Sequence, residues 1–155
     1  MIRPTVTLLL VSFAAVLSAL AETSTRVSSQ APIINFSLPT FTNPDGYRDW
    51  LIRGSEAWMT DQNIIDVKDL SLTVFRGDSS NQIDTMMLSP AARVRPEEKI
   101  ITGDSTLRVI NLNDGFEATG EDWKFTYTKK TKTKTVTLAK NVRVVLRAEF
   151  KNLLK

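Results

Sequence analysis

Between Asp114 and Ala148 apolar side chains recur at every second position, and that period confines this part of the chain to β-sheet. Trp123, Phe125 and Tyr127 form one run; Val136, Leu138, Val142, Val144, Leu146 and Ala148 follow in the next. Strand side chains alternate between the two faces, so such a run builds a sheet with one dry and one wet face. Asn113-Asp114-Gly115 supplies the turn that opens it.

The same period appears upstream. Ile33 to Leu38 reads as a short strand ended by Pro39, and Asn43-Pro44-Asp45-Gly46 as a turn. Tyr47 to Arg53 places Trp50 and Ile52 on one face. Asp66 to Phe75 places Leu70, Leu72 and Val74 on one face, and Asp69, Ser71 and Thr73 on the other. Residues 76–81 read as a loop. Ile83 to Leu88 reads as a strand stopped by Ser89-Pro90, residues 91–98 as a connector or short edge strand, and Ile100-Ile101 and Thr106 to Leu112 as further strands. No stretch after residue 22 sustains a helical period, so the chain is expected to be an all-β sandwich, jelly roll or barrel. Gly54, Trp58 and Lys68–Val74 weakly echo Gly120, Trp123 and Lys140–Leu146, as two turns of a stacked β unit would.

Composition removes several function classes. The chain has no His and no Cys. It therefore lacks the commonest general base, a cysteine nucleophile, a thiolate zinc site and any disulfide framework. No Gly-x-Ser-x-Gly or Ser-x-x-Lys context is present, and adjacent carboxylates such as Glu121-Asp122 point to opposite faces of a strand, a poor pair for glycoside hydrolysis. No catalytic residue, metal ligand or cofactor site is expected. The net charge of +3 does not suggest nucleic acid, and the Lys129, Lys130, Lys132, Lys134 tract lacks interleaved aromatics. That tract reads as a solvated hairpin tip with protective edge lysines; its functional alternative is attraction to anionic headgroups or phosphates.

The first residues have the pattern of an export signal. Arg3 precedes an apolar run containing Leu8, Leu9, Leu10, Val11, Phe13, Val16 and Leu17, and Ala19-Leu20-Ala21 is a small-x-small cleavage motif. The uncharged stretch 4–21 also lies near the lower length limit for a bilayer span, about 17 residues, so residues 1–21 fit either a cleaved signal or an inner-membrane anchor. Both place the remainder outside the cytoplasm, most simply in a periplasm. Residues 22–32 are Ser/Thr-rich and read as a flexible linker, which leaves 33–150 as one β domain.

The arrangement resembles the OstA-like β-jelly-roll proteins of lipopolysaccharide export, most closely their LptC component. A short apolar segment precedes a single β domain. An aromatic-bearing strand, Asp45 to Gly54, is followed by Ile65-Asp66-Val67-Lys68-Asp69-Leu70-Ser71-Leu72-Thr73-Val74-Phe75, and the closing unit runs from Asp114-Gly115-Phe116 through Gly120-Glu121-Asp122-Trp123 to Val142-Arg143-Val144. The similarity covers about residues 45–148. It implies an open, V-shaped β-jelly roll of two antiparallel sheets preceded by an N-terminal apolar helix. It also implies a periplasmic protein holding lipopolysaccharide acyl chains between those sheets. The implied partners are other β-jelly-roll bridge proteins and an inner-membrane ABC transporter. The motif Ala19-Leu20-Ala21 departs from the anchored pattern of LptC toward the soluble LptA component. The candidate lipid-lining residues are Trp50, Ile52, Leu70, Leu72, Val74, Trp123, Phe125, Val142, Val144 and Leu146. The competing readings are that these residues form an ordinary closed core and that the domain is an exported structural or protein-binding module without lipid.

Overall fold

A computed structural model of the protein describes residues 31–61 and 63–146. The apolar segment 1–21 with its expected helix, the linker up to residue 30, and residues 147–150 of the expected domain lie outside the described residues.

Eight antiparallel strands follow one another: β1 (Ile33–Phe41), β2 (Arg48–Asp61), β3 (Ile64–Phe75), β4 (Ile83–Arg95), β5 (Ile100–Gly103), β6 (Leu107–Asn111), β7 (Phe116–Thr128) and β8 (Thr133–Leu146). Among the described residues there is no helix. The strands hydrogen-bond into one sheet where two were expected. The short β5 and β6 lie end to end and share both neighbours, β4 and β7. The sheet is thus a meander running from β1 to β8, and among the described residues β1 and β8 each keep an edge without a sheet partner.

Pro39 and Pro90 do not end strands as expected. Pro39 lies within edge strand β1 opposite Leu51, where a missing N–H is tolerated. Pro90 lies inside β4 at a place where the whole sheet is irregular, so β4 continues through 91–95 and those residues are no connector.

That irregularity shapes the fold. On each long strand the buried positions change parity midway: Ile52 then Ala57 on β2, Val67 then Leu70 on β3, Ser89 then Ala92 on β4, Ala118 then Trp123 on β7. The changes align across the sheet. The pairs on either side place Asn35 across from Ser55, Ser55 across from Asp69, and Asp69 across from Pro90, where the ladder itself is interrupted. The gap between β5 and β6 comes next, followed by Asp122 on β7 and Asn141 on β8. Asn35, Asp69, Asp122 and Asn141 all have left-handed backbones, with φ of 54°, 52°, 48° and 50°. Asn and Asp tolerate this conformation better than other non-glycine residues, and one such residue in an extended strand bends it and re-aims its side chains. Polar contacts tie the line together: Ser55 Oγ donates to Asp69 Oδ2 at 2.7 Å and Asn141 Nδ2 to Glu121 Oε2 at 2.9 Å, while Lys140 pairs with Asp122.

The bend folds one sheet into two facing layers. Trp50 of β2 and Phe125 of β7 have ring centroids 6.2 Å apart. In a flat sheet four strand spacings would hold them about 19 Å apart. Between the layers lie Ile52, Leu72, Met87, Leu107, Val94 and Ile101, each fully buried. The outer face is polar. There Trp58, Asp66, Arg93 and Thr102 stand in one cross-strand row, and the Arg93 guanidinium, bonded to Asp66 at 2.7 and 3.2 Å, holds that carboxyl below its usual pKa. The sequence echo therefore breaks at its tryptophans, because Trp58 is half-buried on the outer face and Trp123 is in the core.

Two glycines are required by close approach. A Cβ on Gly54 would meet Val67 Cγ1 at 2.3 Å, and one on Gly103 would meet the Trp123 indole at 2.6 Å. Neither neighbour can move without disturbing the core. Gly103→Ala should lower stability by about 1–3 kcal/mol, read as a lower urea midpoint with an unchanged slope. An unchanged midpoint would mean that Trp123 does not pack as described.

Candidate functional site

The space between the two layers is not filled everywhere. A cavity of about 340 Å³ lies between Val74, Met87 and Val109 of one layer and Phe125, Val136 and Leu138 of the other. Phe116 and Ala118 also line it. Strand pairing places Leu146 directly opposite Phe116 and Val144 opposite Ala118, and directly opposed residues share a face. The apolar lining therefore continues from the cavity onto the second half of β8. There the side chains are uncovered, with Val144 57% and Leu146 75% exposed. The result is an apolar slot with a buried inner end and a mouth along β8, beside that strand's unpaired edge.

The ten candidate residues separate into two groups. Trp50, Ile52, Leu70, Leu72, Val74, Trp123 and Phe125 are at most 3% exposed and belong to the packed core; of these, Val74 and Phe125 also touch the slot. Val142, Val144 and Leu146 are exposed, and Val142 sits beside the β8 irregularity at Asn141. The two groups do not form one lining. Met87, Val109, Phe116, Val136 and Leu138 line the slot outside the candidate set. Val136 and Leu138 carried the required alternation in sequence. Nothing local distinguishes Met87 or Val109 from core.

The inner end is closed by charge. Lys134 of β8 reaches across to the facing layer, where its Nζ lies 2.5 Å from Asp49 Oδ1 and donates to the Phe75 carbonyl oxygen at 3.2 Å. The Asp49 side chain is 6% exposed and that of Lys134 20%, so water shields this pair poorly. Elsewhere in the core the indole N–H groups of Trp50 and Trp123 are buried without an acceptor. The arrangement can enclose an apolar chain and anchors one end of its enclosure. Among the described residues no group of three or more acidic side chains could hold a metal ion. Neither a protein-family model nor a curated protein matches this chain.

Lys134→Met should cost about 3 kcal/mol, because it strands the Asp49 carboxylate in a dry site. Combining it with Asp49→Leu should recover most of that loss. Urea denaturation of the wild type, both single variants and the double variant tests this, and additive losses in the double variant would show that the ion pair does not hold the layers together.

Proposed function

We propose that this protein is a periplasmic, lipopolysaccharide-binding component of a transport bridge serving outer-membrane biogenesis, akin to the LptC and LptA components of the OstA-like family. It binds and passes on its ligand and is not an enzyme. The observation that carries this reading is the apolar slot continuing onto exposed Val144 and Leu146 beside an unpaired strand edge. An acyl chain entering by that mouth would be desolvated against Phe116, Val136 and Leu138, gaining about 0.8 kcal/mol per buried methylene. The cavity is at the small end of ligand sites, roughly 300–1,000 Å³, which suits a single tail better than several.

The folded sheet, closed at the Lys134–Asp49 corner and uncovered along the far half of β8, is compatible with an open, V-shaped jelly roll. The free edges of β1 and β8 offer backbone groups to which like domains could add strands, the way a bridge would be built and would dock to an inner-membrane ABC transporter. The export pattern of residues 1–21 gives the periplasmic location, either with the signal removed or with residues 4–21 kept as an anchor. The exposed Ile33 and Ile34 on edge strand β1 favour a second reading, an exported domain that binds proteins by strand addition and holds no lipid.

Native mass spectrometry of protein purified from a lipopolysaccharide-producing host separates the two, since the proposal requires co-purifying glycolipid. Val144→Asp combined with Leu146→Asp should cut that glycolipid about tenfold, by placing charge on the apolar mouth. The melting temperature should barely change, because both side chains are already exposed. Protein that carries no glycolipid, or a folded variant that retains all of it, would contradict the reading.

A further inference from the structure

A second concavity lies on the other side of Lys134 from the slot. This cleft of about 350 Å³ is walled by the 42–46 turn, the start of the 76–82 loop, the turn before β5 and the β7–β8 hairpin tip. Arg76, Lys99, Lys129, Lys132 and Lys134 line it, with Asp45 and Asp49. Asp49 is committed to Lys134. The Asp49 charge also reaches Lys99, and the lining as a whole sets five cations against two carboxylates.

Backbone hydrogen bonds fix three of the walls from which these side chains project. The Thr42 amide donates to the Tyr47 carbonyl at 2.7 Å, and the Gly46 amide to the Thr42 carbonyl at 2.9 Å. The Arg76 amide is bonded to Gln82, and the Tyr127 amide to the Lys99 carbonyl. The Arg76 guanidinium donates to the neutral amide oxygen of Asn113, and its charge also acts on Asp78 in the same loop. Lys99 is half-buried with its ammonium 4.4 Å from the centre of the Tyr127 ring. Burial first, and then the charge of Lys129, push its pKa below the ordinary lysine value. The Tyr127 phenol also lines the cleft, and burial followed by the charge of Asp49 raises its pKa, keeping it a donor.

Unlike charges spread over a solvated tip, these converge on one hollow from three separate segments, and Lys129 repels the Lys99 charge there. A compact, multiply charged anion relieves that repulsion and takes up the donors. We propose that this cleft binds a phosphate monoester or diphosphate group. The inference rests on the cleft and not on the contents of the slot, with which it shares only Lys134.

Isothermal titration of the full chain in a neutral detergent with inorganic pyrophosphate tests it, alongside flotation with phosphatidylcholine vesicles containing either phosphatidic acid, a monoester, or phosphatidylglycerol, a diester. Lys129→Ser with Lys132→Asn removes two cleft charges; Asn suits the left-handed backbone of Lys132, φ 54°. Lys68→Ser with Lys124→Ser removes the same charge from outside the cleft. Saturable pyrophosphate binding, at least about tenfold weaker in the cleft variant and unchanged in the control, is the expected result. Cleft-dependent preference for phosphatidic acid over phosphatidylglycerol would identify the source as a lipid headgroup; pyrophosphate binding without it would identify a soluble phosphate ester. No pyrophosphate binding at low ionic strength, or equal weakening in both variants, would overturn the proposal. Pyrophosphate has no acyl chain, so this outcome is independent of whether the slot holds lipid.

Discussion

A line of left-handed residues across a single sheet underlies the rest of this structure. Asn35, Asp69, Asp122 and Asn141 bend their strands on one transverse row, with Pro90 and the β5–β6 gap completing it. On β2, β3, β4 and β7 the inward positions change parity at this row, so both halves of these strands present apolar residues to the same interior. Without that row, alternation would split the apolar residues of each strand between two faces of a flat sheet. With it, a meander becomes its own second layer, and the core, the slot and the Lys134–Asp49 closure all follow from that folding.

The strands themselves were legible because period-two patterning survives on both sides of each bend. Leu70, Leu72 and Val74 announced the second half of β3, and Trp50, Ile52, Trp123 and Phe125 were recognisable as inward. The bends were harder to see. Asp69 and Asp122 read as ordinary wet-face residues, because a left-handed backbone leaves no mark in composition beyond the tolerance of Asn and Asp for it. Pro90 read as a terminator, since only the register shows that it falls where ladder bonding is already broken. Likewise, the separation of the candidate lining into core and exposed residues depends on which parts of the two layers overlap. Leu72 and Leu146 have the same local pattern, yet they are 0% and 75% exposed. That difference is tertiary, and periodicity carries no information about it.

The two concavities divide the interior by chemistry. On one side of Lys134 the lining is mostly aliphatic and aromatic, with Asp84, Thr85 and Asn111 among it, and runs out along an uncovered strand; on the other it is cationic and framed by turns. One side chain from β8, reaching Asp49 and the Phe75 carbonyl, separates them and holds the two layers at that corner. The lysine tract that looked like a solvated tip is thus split by structure: Lys134 is structural, Lys129 and Lys132 face the cleft, and Lys130 lies outside it.

The central functional claim is that the uncovered half of β8 is where a fatty chain enters. A photoreactive amino acid placed at Val144, irradiated in a lipopolysaccharide-producing cell, measures this directly, with the same group at Thr137 on the outer face as its reference. The account predicts a glycolipid adduct from position 144 and none from 137. Equal labelling at both positions, or no adduct at 144, would contradict it.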